Sequence, residues 1–217
     1  MHGKNPIRPP EKGDGSTLDV QHIFRTIQGE GPYAGVPAVF IRLGGCNLAC
    51  AFCDTEFENF HAMAVKEIMA QVYKSSSSCA KAQDLRQSEL ALDPAVKPQD
   101  DKRAINLIVI TGGEPLRQPI AKLCEALIAE GFRVQIETNG TLWRELPDEV
   151  EIVCSPKNAG QGYMPVRPDL RARVNAFKFI VSAHRPEYRD VGDVGQDRKS
   201  TRLNSSHERR SRMPSSA

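Results

Sequence analysis

Three cysteines carry the chemistry most readily read from this sequence. Cys46, Cys50 and Cys53 lie in Cys-Asn-Leu-Ala-Cys-Ala-Phe-Cys, a C-x3-C-x2-C spacing. Thiolates hold iron–sulfur clusters, and a four-iron cluster normally takes four of them. Three closely spaced ligands leave one iron open to a small molecule, as catalytic metal sites leave a position open. Two other readings stay in play at this point. One is a zinc site completed by a distant fourth ligand, for which Cys79, Cys124 and Cys154 are available by count. The other is an ordinary ferredoxin-type site. Cys124 falls in a helical pattern and Cys154 in a strand pattern, where free cysteine often behaves as a buried hydrophobe. A second segment, Gly112-Gly113-Glu114-Pro115, follows an apolar run. Alone it reads equally well as a tight turn, since Gly and Pro are turn formers.

Taken together, the cysteine spacing, Phe52 before the last cysteine and the Gly-Gly-Glu-Pro segment resemble the radical S-adenosylmethionine (SAM) superfamily. That resemblance implies a [4Fe-4S] cluster whose open iron takes SAM through its amino and carboxylate groups. Cluster and SAM are established partners in radical chemistry. Glu114 is then an acceptor for the SAM ammonium, which can only donate.

Further segments narrow the resemblance. They are Thr26-Ile27-Gln28-Gly29-Glu30-Gly31, Cys53-Asp54-Thr55, Ile136-Glu137-Thr138-Asn139-Gly140 and Ser155-Pro156-Lys157. In order and spacing they are similar to the 7-carboxy-7-deazaguanine synthases, across residues 18–182 apart from 75–103. The resemblance implies conversion of 6-carboxy-5,6,7,8-tetrahydropterin to 7-carboxy-7-deazaguanine with release of ammonia, in the biosynthesis of queuosine and other deazapurines. It also implies residue roles. Cys46, Cys50 and Cys53 hold the cluster, and Thr55 gives oxygen to Mg2+, a hard ion that keeps few protein ligands. Ile27, Gln28, Gly29, Arg42 and Thr111 bind substrate, with the planar fork of Arg42 suited to its carboxylate. Phe52, Cys53, Asp54, Gly113, Glu114, Ser155, Pro156 and Lys157 bind SAM, and Glu137 is a catalytic candidate near substrate or ribose. A flavodoxin or ferredoxin as electron donor and a homodimer go with the same likeness.

The elements that must position these residues show in the hydrophobic pattern. Val36–Leu43 reads as a strand feeding the cysteine loop, and Ile105–Ile110 as a strand covered on both faces. Phe132–Ile136, Val150–Cys154 and Phe177–Val181 are further strands. Val65, Ile68, Met69 and Val72 predict a helix over 64–74. Ile120, Leu123, Leu127 and Ile128 predict another, with Gly131 at its C-terminal cap. Strand–helix alternation implies α/β architecture with a mostly parallel sheet, here a partial, open β/α barrel with functional loops at the strands' C-terminal ends.

The 217 residues suit one domain with tails, and the net charge is only +2. Residues 198–217 hold six Arg or Lys against one Glu, so the rest of the chain is slightly acidic and direct nucleic-acid binding is not expected. No apolar run approaches the roughly 20 residues of a membrane span, and no signal peptide shows, so a cytoplasmic protein is expected. Residues 1–17 read as a disordered lead-in, 18–196 as the core, 75–103 as a polar insertion with a short helix near 83–92, and 197–217 as a disordered tail. That tail does not resemble the family's C-terminus and reads as a frame disruption or as non-native sequence joined to a truncated gene. His184 is a pocket candidate or a solvated loop residue. The competing readings are a glycyl-radical-enzyme activase, a zinc-binding module without activity, and a truncated remnant that binds only cluster and SAM.

Overall fold

A computed structural model describes residues 5–50, 53, 55–77, 105–158, 162–180, 191, 193 and 194. Its elements run β1 (Thr17–Ile27), β2 (Pro37–Leu43), β3 (His61–Ala64), α1 (Val65–Ser76), β4 (Leu107–Gly112), α2 (Ala121–Ala129), β5 (Arg133–Thr138), β6 (Glu151–Cys154), α3 (Pro168–Arg171) and β7 (Ala176–Phe177). Short 3₁₀ turns lie at Gly31–Tyr33 and Pro115–Arg117. The strands form one sheet in the order β3-β1-β2-β4-β5-β6-β7. From β2 to β7 every pairing is parallel, whereas β1 is antiparallel to both β2 and β3. Among the described residues the sheet has two unpaired edges, β3 and β7, in keeping with the open barrel read from the sequence.

Successive side chains on a strand point to opposite faces, and that alternation sorts this sheet. Val39, Ile41 and Leu43 of β2, Ile108 and Ile110 of β4, Ile136 of β5 and Ile152 of β6 face outward. There they pack with Ile68 and Val72 of α1 and Leu123 and Leu127 of α2 in the main core. Each such fully buried side chain is worth about 1.5–3 kcal/mol over its exposed state. The inner face carries a smaller apolar plug of Ala38, Leu107 and Val109, flanked by Tyr33 and Phe40. Above it, the same alternation turns Arg42, Thr111 and Glu137 inward.

Both long helices form for the reasons legible in sequence. In α1 the carboxylate of Glu67 accepts the backbone N–H of Ala64 at 2.8 Å, occupying an otherwise orphaned donor at the helix start. The helix α2 ends before Gly131, whose φ of +78° is the left-handed conformation that glycine adopts without penalty.

Several expectations are corrected. The strand β1 was not visible, because a bulge between Val20 and His22 breaks its alternation and its second half has β2 on one side only. Ser75 and Ser76 complete α1, so they are not part of a polar insertion. The last strand is short, Ala176–Phe177, although Phe179 is still buried in the core beyond it. Residues 5–16 are not a loose lead-in, since they lie against the cysteine loop and the Pro115–Arg117 turn through backbone hydrogen bonds. Residues 78–103, His184 and residues 197–217 fall outside the described residues.

Candidate active site

The cysteine loop leaves β2 through Gly44-Gly45 and is gripped from the neighbouring strand. The N–H of Gly113 donates to Leu43 O at 3.3 Å, and that of Glu114 to Gly45 O at 3.1 Å. The approach is so close that a Cβ on Gly113 would lie 1.9 Å from Gly45 O and 2.9 Å from the Cβ of Cys46. Gly112 adopts φ +130°, and a Cβ there would lie 2.2 Å from Leu43 O. The two glycines of the Gly-Gly-Glu-Pro segment therefore do structural work: they let β4 press its backbone onto the loop that carries the cysteines.

Cys46, Cys50 and Cys53 all line one cleft of about 320 Å³ at the C-terminal ends of the strands. Burial pushes the Cys46 thiol up to about 11 and also raises Cys50, against the nearby Lys157 charge, which lowers it. Cluster ligands must be thiolates, so loading the site releases protons. Among the described residues, no three His, Cys, Asp or Glu side chains converge tightly enough for a single ion. Cys124 and Cys154 belong to the outward-facing core, where burial raises both thiols to about 12. Neither lines the cleft, so neither stands as the fourth ligand that a zinc site would draw on. Cys79 lies outside the described residues; among the described residues three free thiols line the cleft without a fourth, which fits a cluster with one open iron.

The cleft is also lined by polar groups from the inner face of the sheet. Arg42 and Thr111 are register neighbours on β2 and β4, and both line the cleft. The Arg42 guanidinium lies 5.3 Å from the centre of the Phe24 ring. Glu137 lines the cleft as well. Its carboxylate accepts the Gln28 amide at 3.0 Å and faces the Lys178 ammonium at 3.4 Å. Lys178 also meets Glu30 at 2.5 Å. Burial lowers the Lys178 pKa, but the Glu137 and Glu30 carboxylates outweigh it, and the net direction is upward. Of the segment Ile27–Gly29, Gln28 is buried behind Glu137 and Ile27 is 62% exposed, while the next residue, Glu30, forms cleft wall.

Ser155 and Lys157 line the cleft beside the cysteines, with Lys157 Nζ donating to Ser155 Oγ at 2.9 Å. Burial and the Lys178 charge lower the Lys157 pKa. Thr55 and Gly113 are wall residues too. Pro156 turns the chain between Ser155 and Lys157 without itself forming wall. Glu114 is placed differently from the expectation for its side chain. It is fully buried, and its carboxylate accepts from Leu116 N at 3.0 Å, Thr138 Oγ1 at 2.7 Å and Asn139 N at 2.7 Å. Burial raises its pKa against those three donors. In this state Glu114 braces the end of β5, and the cleft wall at that point is Gly112 and Gly113. Phe52 and Asp54 lie outside the described residues.

Sequence reasoning missed Asn5, Glu30, Asn47 and Lys178. Asn47 accepts from Asn139 Nδ2 at 2.9 Å and donates to Thr141 Oγ1 at 2.8 Å, tying the cysteine loop to the loop after β5. A lone lysine within the apolar run Ala176–Ile180 was the one available signal for Lys178.

Comparisons with known proteins agree with this geometry. The pattern of the radical SAM superfamily matches residues 40–164. The chain is 50% identical over 196 residues to the 7-carboxy-7-deazaguanine synthase of Rickettsia prowazekii, covering 90% of this chain and 75% of the relative. It is 44% identical over 185 residues to the enzyme of that name from Rhodospirillum rubrum, covering 84% and 66%. Among solved structures it is similar to QueE from Escherichia coli, with TM-score 0.59, 26% identity, and coverage of 76% and 72%.

Proposed function

Because the chain belongs to the 7-carboxy-7-deazaguanine synthase family of the radical SAM superfamily, we propose that it contracts the ring of 6-carboxy-5,6,7,8-tetrahydropterin to give 7-carboxy-7-deazaguanine and ammonia. The observation that carries this reading is the single cleft lined both by Cys46, Cys50 and Cys53 and by Arg42, Thr111, Glu137 and Lys178. When bound, the [4Fe-4S] cluster and SAM would supply the radical chemistry that opens the reaction.

The chain's own residues bind and orient. Cys46, Cys50 and Cys53 would hold the cluster. Gly113, Ser155 and Lys157, with Phe52, Cys53, Asp54, Glu114 and Pro156, would hold SAM. The guanidinium of Arg42 offers two parallel donors to a carboxylate, and Thr111 beside it offers a hydroxyl. Glu137 can accept from the pterin's ring N–H groups, with the Lys178 ammonium 3.4 Å from its carboxylate. Thr55 would give an oxygen to Mg2+, a hard ion that keeps few protein ligands. A one-electron donor of the flavodoxin or ferredoxin type, a homodimer and a cytoplasmic location belong to the same reading. No helix of the described residues is long and apolar enough to cross a membrane.

The test is direct. The chain is reconstituted anaerobically with iron and sulfide, given SAM, Mg2+, reductant and the carboxypterin, and the product is sought by mass spectrometry. Deazaguanine product, faster with Mg2+ than with a chelator, is expected. Cluster-bearing protein that cleaves SAM but never forms this product would overturn the substrate assignment. With Arg42→Ala, KM for the pterin is expected to rise about 10- to 100-fold, the worth of a charge-assisted contact. SAM cleavage without substrate should persist, and an unchanged KM would remove Arg42 from the site.

A further inference from the structure

The cysteine loop is closed at its neck by a segment that lies before β1 and outside the superfamily match, which begins at residue 40. Ile7 bridges Cys46 in parallel, and Arg8 N–H donates to Cys46 O at 2.8 Å. The Arg8 guanidinium reaches the returning limb, pairing with Glu58 at 2.5 Å and lying 5.1 Å from the centre of the Phe60 ring. One residue of this clasp touches three positions on that limb. Asn5 Oδ1 accepts Phe57 N–H at 2.9 Å, while its Nδ2 donates to Thr55 O at 2.8 Å and faces Cys53 Sγ at 3.8 Å. The residue is 9% exposed, so its amide hydrogens have these acceptors in place of water.

The Cys53 thiol donates to Thr55 O at 3.3 Å. As a cluster ligand Cys53 is a thiolate and has no hydrogen to give. The Asn5 amide is then the donor facing that sulfur, with its second hydrogen held by Thr55 O. Hydrogen bonds to cluster sulfurs favour the more negative, reduced cluster, and outer groups of this kind tune metal centres as the ligands do.

We infer that Asn5 is a positioning residue for the radical chemistry: it fixes Cys53 and the carbonyl of Thr55 in one frame and, through its N–H···S contact, raises the potential at which the cluster accepts its electron. This rests on the proposed cluster but not on the identity of the pterin. It also gives the segment Asn5–Arg8 a task that the superfamily domain does not itself supply.

The experiment compares the reconstituted full chain with Asn5→Ala and Asn5→Asp. Iron and sulfide content, and the electron paramagnetic resonance signal of the reduced cluster, are measured first. Wild-type protein without a four-iron cluster would defeat the underlying reading. Redox titration followed by that signal then addresses Asn5 alone. Both variants are expected to have a midpoint displaced to more negative potential, so that less cluster is reduced at a fixed ambient potential. Asn5→Asp keeps the acceptor for Phe57 N–H, so it holds the loop if Asn5→Ala loses the cluster. A fully loaded Asn5→Asp or Asn5→Ala protein with the wild-type midpoint would overturn the inference. Arg8→Ala serves as the control for the clasp: it should lower cluster retention and leave the midpoint of the loaded fraction unchanged.

Discussion

At the scale of single residues, position separates cysteines that do chemistry from cysteines that fill space. Cys50 is half-buried on the cleft wall, whereas Cys124 is fully buried in α2. Cys50→Ala is therefore expected to abolish the brown cluster with little change in the unfolding midpoint of the metal-free chain. Cys124→Ala should keep full iron content and cost about 1 kcal/mol, the scale of a lost methyl-sized group in a core. Iron analysis and denaturant titration of both variants check this, and loss of cluster in the Cys124 variant would reopen the fourth-ligand reading. Gly113 gives a sharper case. An added Cβ at 1.9 Å from Gly45 O cannot be absorbed by a side-chain rotation, because both partners are backbone. Gly113→Ala should cost about 1–3 kcal/mol as an overpacked site. It should also lower iron retention at matched folding, and normal retention would show that the loop does not need the close approach.

At the scale of elements, the β1–β2 connection is held across the open side of the sheet. Gln28 N–H donates to Val36 O at 2.8 Å and Gly35 N–H to Gln28 O at 2.7 Å, closing the base of the loop. Its far side is then tied to three other strands or their continuations. Gln28 reaches Glu137 of β5, the Tyr33 hydroxyl donates to Glu151 of β6, and Glu30 pairs with Lys178 just past β7. Lys178→Met removes the cation from between two carboxylates that keep 15–32% exposure. It should cost about 1–3 kcal/mol, the worth of hydrogen bonds to charged groups, and raise KM for the pterin more than it lowers kcat. The sign with pH follows from the raised pKa. The stabilisation by Lys178 is complete below its ordinary value of 10.5 and is lost as pH climbs through the higher folded value. Unfolding midpoints of wild type and Lys178→Met should therefore converge in strong alkali, and a constant gap would argue that Lys178 stabilises by packing.

At the scale of the whole molecule, Arg117 joins parts that are far apart in sequence. Its side chain is 3% exposed, lies 2.7 Å from Glu11 and 3.5 Å from Asp19, and donates to Gly44 O at 3.0 Å. One guanidinium thus links the N-terminal segment, β1, the cysteine loop and the turn after β4. Arg117→Met should cost about 3 kcal/mol, the lower end for breaking a buried pair, since both carboxylates retain some contact with water. Denaturant unfolding measures this, and a cost under about 0.5 kcal/mol would place Arg117 among ordinary surface pairs.

The sequence by itself determined what depends on local pattern. Cysteine spacing, the glycine pair and the short motifs pointed to cluster, SAM and family. Apolar runs and periodicity located β2, β4, β5, β6, α1 and α2 within a few residues. These are legible because a strand covered on both faces or an amphipathic helix must write its burial into consecutive residues. Tertiary structure decided what depends on distant partners. Asn5 looked like tail because a polar residue shows no pattern when its hydrogen-bond partners lie some 50 positions away. Lys178 looked like an interruption in an apolar strand until Glu30 and Glu137 were brought to it. Glu114 carried a motif's expected role, but only the packing of β4 against β5 showed its carboxylate engaged by Thr138 and Asn139. Burial can be inferred from neighbours in sequence, whereas a hydrogen bond between remote groups exists only once the chain has folded.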